Sequence, residues 1–435
     1  MNPHLRIEIW GTRHHLYYSL IMELWSGDGV LKYEGFEQAI GVRVIADEKF
    51  DVEIEVQHPF GFGVLLLSGR EDLTIKVPNV EHPIDVYLRL ASGSLTEDGT
   101  MIFSPKRSPI WTHTTQSLVR GRASLANFSG FEIGAYSRAR IQLNASGWDL
   151  TIIPVIEELL CHPQPKNTAE RVVTHQLEFR RSDDSLFAPD EMRRFLESLG
   201  QFFSFCHGRW IGMTFVEGMR ADGSSEFQAW GMSRIGGLST PDSFVDRHHL
   251  ECMVQLYPMF VTKMLDEAWA ETISSVVYWL RRSELDGAGV DGGIILIQAA
   301  LERFAWHVLV RDRGAISDEG FKSLTAADQM RLMLNAMRIP RTVPEGLEGL
   351  VRFAKAAGGI DAPEAFTRVR NRIVHPPKPK AKKAIFPYYD TYRLGRWYAE
   401  LCVLSCCGYT GKYSSRVRKD QWVGQIEDVP WTSQL

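Results

Sequence analysis

The run Asp361-Ala-Pro-Glu-Ala-Phe-Thr-Arg-Val-Arg-Asn-Arg-Ile-Val-His-Pro-Pro377 carries its own start and stop signals. Asp361 followed three residues later by Glu364 has the spacing of a capping box, and Pro363 falls in the first turn, where a missing N–H costs nothing. At the far end Pro376 steers His375 away from helical angles. The spacing therefore predicts a helix over 362–375 with His375 as its C-cap residue. Arg370 and His375 lie about 140° apart on an ideal helix and would diverge in a helix interior. With His375 released at the end, a long Arg370 side chain and the imidazole can converge on one phosphate-sized spot. Asn371, one turn before His375, is expected to face the same way and to orient the ring or a substrate.

On both sides of this run the pattern is helical. Apolar periodicity predicts helices at 250–266, 267–284, 292–312, 324–337, 345–356 and 387–409, separated by linkers such as Asp286-Gly-Ala-Gly289 and Arg338-Ile-Pro-Arg-Thr-Val-Pro344. Toward the N-terminus the character changes. Period-two alternation in Asp51–Val56, Asp85–Leu90 and Arg138–Leu143, with turn residues at Ser26–Gly29, Ser92–Ser94 and Ala145–Gly147, predicts a β-rich antiparallel domain over 1–161. The polar break His162–Asn167 is a natural boundary. A mixed section, 168–247, follows with strands at His175–Phe179, Trp210–Gly218 and Glu226–Met232 and an amphipathic helix from Pro189 to Cys206, and is expected to pack on the sheet domain. The tail, 411–435, reads as polar and extended. The fold class is α+β: a β-rich antiparallel N-terminal domain followed by an all-α bundle over 250–410.

Composition narrows the chemistry. With 435 residues, 44% of them hydrophobic, the chain has ample core for two or three domains. The formal charge of −4 gives no global attraction to nucleic acid, so contact with phosphates must come from a local patch. Basic residues do concentrate between Arg368 and Lys383. Six cysteines without C-x-x-C spacing argue against a disulfide framework, and Cys402, Cys406 and Cys407 fall on an apolar helix. The start, MNPHLRIEIW, lacks the pattern of a secretory signal, and no stretch reaches about 18 uninterrupted apolar residues, so a cytoplasmic location is expected. His14-His15 and His248-His249 have no accompanying ligand spacing, and no metal site or cofactor is expected. P-loop, dinucleotide-binding and hydrolase motifs do not occur.

Arg370-Asn371-Arg372-Ile373-Val374-His375-Pro376 resembles the R-x4-6-H signature, in its R-N-x-x-x-H form, of HEPN domains: helical bundles found in bacterial toxins, RNA-guided nucleases and abortive-infection proteins. The resemblance extends over roughly 250–410, including the apolar helix Gly293-Ile-Ile-Leu-Ile-Gln-Ala-Ala-Leu-Glu-Arg-Phe-Ala-Trp306, and the section Phe195–Trp230 looks like the region upstream of the HEPN domain in proteins of the ApeA-like type. It implies a metal-independent endoribonuclease, commonly dimeric, in anti-phage defence, with the N-terminal half sensing a phage component or regulating the nuclease. The alternative is a non-catalytic HEPN scaffold that binds nucleic acid or drives oligomerisation.

The residue types suit RNA cleavage. The 2′-OH is the nucleophile, so the protein has only to move protons, which suits His375, and to stabilise a phosphorane, which suits the forked guanidinium of Arg370. One such histidine per chain leaves either the acid or the base missing, and a two-fold homodimer pairing two motifs would complete the site. Gln298 and Glu302 are one turn apart on an otherwise apolar helix. A lone carboxylate there needs a partner, and Glu302 is expected to position Arg370, with salt bridges to Arg303 or Arg281 as the alternatives, while Gln298 supports the site or the dimer seam. Arg368 and Arg372, with Lys378, Lys380, Lys382 and Lys383, are candidates to carry the RNA backbone, and Tyr388, Tyr389 and Tyr392 to stack on bases. A solvated linker would have the same lysine-rich composition.

Overall fold

This computed structural model describes residues 5–10, 17–47, 49–58, 69–91, 99–128, 140–155, 171–236, 243–246, 248–375, 386–420 and 422–432. Seven strands form the first sheet: β1 (Leu5–Trp10), β2 (Tyr17–Tyr33), β3 (Phe36–Ala46), β4 (Val52–His58), β5 (Thr74–Lys76), β6 (Ile84–Ala91) and β7 (Gly99–Pro105). All pairings are antiparallel. The order β1-β2-β3-β4-β7-β6-β5 closes on itself because β5 also pairs with the far half of β2, giving a small barrel with β1 as an outrigger. Its interior is apolar and mostly aliphatic, with Leu31, Val44, Ile54, Val56, Ile75, Val86 and the aromatic Phe103 fully buried.

Ser26–Gly29, expected as a turn, instead lies inside the 17-residue β2. A Cβ at Gly27 would come within 2.8 Å of the Trp25 ring, and one at Gly29 within 2.7 Å of Val42 and 2.9 Å of the Lys76 carbonyl. Gly29 lets β5 close the barrel against β2 and Gly27 makes room for the Trp25 ring, roles that local sequence cannot distinguish from a turn.

The second sheet has the order β10-β11-β12-β9-β13-β14-β8. Its members are β8 (Ile110–Trp111), β9 (Arg120–Ala126), β10 (Ile141–Ala145), β11 (Trp148–Pro154), β12 (Val173–Arg181), β13 (Gly212–Met219) and β14 (Ser225–Trp230). Ser146 and Gly147, both at positive φ (49° and 77°), make the expected tight turn between β10 and β11. The division expected at 162–167 does not separate two sheets, because β11 and β12, on either side of it, are paired neighbours. Helix α1 (Pro189–His207) covers one face of this sheet with Met192, Phe195, Leu199, Phe202 and Phe203; Phe195 stacks on Trp148 at 4.4 Å. Phe202 in turn meets Tyr257 and Phe260 of the next helix, so one continuous core joins the second sheet to the helical region, while the barrel keeps its own. The mixed section is thus part of the central sheet and is continuous with the helices.

The helical region comprises α2 (Leu250–Leu265), α3 (Glu267–Arg282), α4 (Leu285–Trp306), α5 (Asp318–Ser323), α6 (Ala326–Ala336), α7 (Glu348–Ala356), α8 (Ala362–Val374) and α9 (Tyr388–Cys406). Gly289, at φ 63° and ψ 179°, interrupts α4 near the expected linker, and a π-helical turn, His307–Asp312, continues it. The short α5 was not foreseen; Ser317 caps it by accepting the Gly320 N–H at 3.1 Å. Helix α4 contacts α3, α6, α8 and α9. The stretch Ala288–Asp312 is long and apolar enough to cross a membrane by length and composition, and 61% of its most apolar window is buried among its neighbours.

The tail expected to be extended and polar is instead packed. Strands β15 (Lys412–Tyr413) and β16 (Glu427–Asp428) pair, and Tyr413, Ser415, Arg416 and Val429 are buried. Arg416 makes a bidentate ion pair with Glu400 of α9, both bonds 2.7 Å. His249 joins Glu251 (2.6 Å) to the tail carbonyl of Gly424 (3.0 Å).

One buried histidine sets a pH dependence. His207 is 0% exposed, and burial, followed by the charge of Arg209, pushes its pKa down to about 3 from 6.5. Above pH 6.5 this group costs nothing. As pH falls below 6.5 the unfolded chain takes up a proton that the folded chain refuses, and stability drops by about 1.4 kcal/mol per unit, or roughly 3 kcal/mol by about pH 4. Denaturant midpoints measured at neutral pH and about pH 4 should show this loss, and His207→Gln should reduce it. An unchanged pH slope in His207→Gln would assign the loss to other groups.

Candidate functional site

Helix α8 is fixed at one end and open at the other. Asp361 caps it by accepting the Glu364 N–H at 3.1 Å, and the helix begins at Ala362 as expected. The return half of the capping box is diverted: Glu364 binds Arg331 of α6 (3.2 Å) and Arg368 (2.8 Å). Arg331 also grips Asp361 through two bonds of 2.7 and 2.9 Å. Burial pushes the Asp361 carboxyl up, but the Arg331 guanidinium and the Glu364 N–H outweigh it and hold the pKa below the usual carboxylate value. Ala365, Phe366 and Val369 form the buried face. A Cβ at Gly395 of α9 would lie 2.6 Å from Phe366 and 2.7 Å from Ile297, so this glycine lets α9 close onto α4 and α8 together.

The motif occupies the C-terminal half of α8. Arg370 is half-buried and donates from Nη1 to Asn371 Oδ1 at 3.2 Å, while its Nε is buried without a hydrogen-bond partner among the described residues. Asn371 and His375 are exposed. His375 takes the C-cap position (φ −120°, ψ 76°), and its backbone N–H closes the last turn on the Asn371 carbonyl at 2.8 Å. The structure therefore joins Arg370 to Asn371 and frees the imidazole at the helix end. Among the described residues no hydrogen bond joins the Asn371 amide to the His375 ring; its oxygen accepts from Arg370.

Gln298 and Glu302 meet on α4 as their spacing implied. Gln298, 1% exposed, donates to Glu302 at 2.6 Å, and its own Oε1 is buried without a hydrogen-bond partner among the described residues. The expected ion pairs of Glu302 do not form: among the described residues none within 4 Å joins it to Arg370, while Arg303 pairs with Glu271 and Arg281 with Glu284. A neutral amide one turn away satisfies the carboxylate locally, and a half-buried Glu302 keeps part of its hydration.

Arg368 is exposed and held by Glu364, and Arg372 lies over the Phe386 ring at 5.2 Å. Lys378, Lys380, Lys382 and Lys383 lie outside the described residues. Of the three tyrosines only Tyr389, 56% exposed, offers a ring face. Tyr392 is buried and accepts from Arg396 at 3.1 Å, and Tyr388 is half-buried near Phe386. Arg331, which sets the position of the whole motif helix, was not picked out from the sequence: a single arginine on α6 carries no local signal of its two acidic partners across the bundle.

Comparison with known proteins divides the chain along these structural lines. Residues 115–240, which hold the second sheet apart from β8, match the model of the YopA central domain, and residues 266–428, the helices after α2 with the packed tail, match that of the YopA C-terminal domain. The chain is similar to the SPbeta prophage-derived uncharacterized protein YopA of Bacillus subtilis (strain 168), with 27% identity over 268 residues, 61% of this chain and 59% of that protein. The match thus spans less than two thirds of the relative's length. No solved structure matches.

Proposed function

We propose that the protein is a cytoplasmic, metal-independent endoribonuclease of HEPN type, active as a homodimer and serving as an abortive-infection effector. The placement of Arg370-Asn371-Arg372-Ile373-Val374-His375 at the exposed end of a helix anchored by Arg331 carries the proposal. A histidine at a free helix end can reach a substrate proton. A half-buried guanidinium whose Nη1 is steadied by Asn371 keeps further N–H groups for a phosphate. The 2′-hydroxyl loses its proton to one imidazole and its oxygen attacks phosphorus, while the leaving 5′-oxygen takes a proton from a second imidazole. The products are a 2′,3′-cyclic phosphate and a 5′-hydroxyl. One motif per chain has one imidazole, so His375 of each of two copies is needed. Similarity to a prophage-derived protein fits a role in phage–host conflict, and the barrel, which keeps a core of its own, is suited to sensing a phage component or regulating the helical region.

A non-catalytic scaffold is the second reading, favoured by one observation: Glu302 is engaged by Gln298 and does not position Arg370. Bulk RNA and tRNA integrity during phage challenge separates the two. Cells carrying the wild type should degrade RNA and limit phage, and those carrying Arg370→Ala or His375→Ala should do neither. Equal protection by all three proteins would sink the nuclease proposal.

A further inference from the structure

The second sheet has one face in the main core and another that should be wet, as in most antiparallel sheets. The core face carries Ala123, Leu125, Leu177 and Phe179. The opposite face is polar, and its side chains fall into rows fixed by strand register. Gln176 lies opposite Ser124, which lies opposite Thr214; in the adjacent row Glu178 lies opposite Arg122, which lies opposite Glu217. The second row depends on a bulge. Between Thr214 and Glu217, β13 spends three steps against two on β9, and the extra residue is accommodated with Phe215 at φ 50°. Without the bulge Glu217 would point into the core, since a one-residue slip reverses every side chain.

Part of this polar face is shielded from open solvent, although Gln176 and Glu178 stay exposed. The barrel stands across from it, leaving a cleft of about 640 Å³ whose far wall includes Met22, Leu24 and Trp25. Two aromatic contacts brace the gap: Trp25 stacks on the buried Trp230 at 6.2 Å, and Phe215 meets Phe50 edge-on at 5.3 Å. Phe50 is also at positive φ (62°), so both rings of the second contact stand on left-handed backbone, a conformation costing about 1–2 kcal/mol per residue. Strain of this kind persists where the surrounding structure enforces it and clusters at ligand sites. The volume lies within the usual range of small-molecule sites.

We propose that this cleft binds a nucleoside. A flat base can lie against the part of the half-buried Trp25 ring that Trp230 leaves uncovered, with Met22 and Leu24 beside it, since bases stack on aromatic side chains. Its polar edge then faces Gln176 and Ser124, which both donate and accept. The acceptor-only carboxylate of Glu217 suits a ribose diol, a pairing that dinucleotide sites also use. Arg122 is countered by Glu178 at 3.5 Å and lies opposite Glu217, while Glu23 on the barrel side is paired with Arg43 at 2.8 Å, so the cleft offers no uncompensated positive charge to a polyphosphate. The proposal is independent of the nuclease reading, and its test involves no RNA cleavage.

Isothermal titration calorimetry with adenosine, guanosine, cytidine and uridine, alongside the corresponding triphosphates and free ribose, tests it. At least one nucleoside should bind with micromolar affinity and its triphosphate more weakly. Glu217→Gln, which keeps the side-chain volume, should weaken binding about tenfold, and Trp25→Ala by at least as much. Melting curves of the ligand-free variants establish that they are folded. Absence of heat with every nucleoside at millimolar concentration, equal binding of free ribose, or wild-type affinity in Glu217→Gln would each overturn the proposal.

Discussion

His375→Ala is expected to lower RNA cleavage by about 10²–10⁴-fold, the range that a positioned acid–base group contributes. Stability should stay within about 0.5 kcal/mol of wild type, because the imidazole is exposed and helix closure uses only its backbone N–H. Loss of cleavage with an unchanged melting curve would therefore report chemistry. The proposed dimer makes a sharper expectation. If one imidazole is the base and the partner's the acid, a heterodimer of wild-type and His375→Ala chains lacks one of the two and should cleave far below half the wild-type rate. Retention of half the activity would show that each chain carries a complete site. Arg370→Ala should fall comparably through lost stabilisation of the phosphorane, with cleavage by the wild type unaffected by chelators.

Glu400→Ala is expected to destabilise the helical region by about 3–5 kcal/mol. The side chains of Glu400 and Arg416 are 2% and 6% exposed, and removing the carboxylate leaves a guanidinium in the interior without its bidentate partner. The surroundings aggravate this, because Arg281 and Arg396 are also buried nearby. Burial pushes the Arg281 pKa down to about 10, with Glu284 and Glu400 raising it and Arg396 and Arg416 lowering it further. Deleting Glu400 removes a buried negative charge from a group rich in positive ones. Arg416→Ala should cost less than Glu400→Ala, because the remaining carboxylate still lies near the Arg281 charge. The double replacement Glu400→Leu/Arg416→Met should recover much of the loss, since two apolar groups of similar volume leave nothing unpaired. Urea unfolding followed by helical circular dichroism measures all three. Equal midpoints for wild type and Glu400→Ala would show the tail to be dispensable for the bundle.

The sequence by itself determined the α+β class, the run of helices from Leu250 onward, the start of α8 at its Asp361 cap and the place of His375 at its end. Each of these rests on short-range rules: apolar period, capping side chains, and a proline that forbids helical angles before it. Other features had no local signature. Gly29 looks like part of a turn until β5 is brought against β2. Glu302 looks like a partner for Arg370 until the Gln298 rotamer places its amide 2.6 Å away. The tail looks extended until Arg416 finds Glu400 sixteen residues upstream. The polar grid facing the barrel exists only once β9, β12 and β13 are in register and the Phe215 bulge has turned Glu217 outward. Periodicity fixes which face of an element is apolar; it leaves open which other element arrives at the polar face, because that depends on pairings between residues distant in the chain, and here those pairings decided both the surroundings of the motif helix and the cleft.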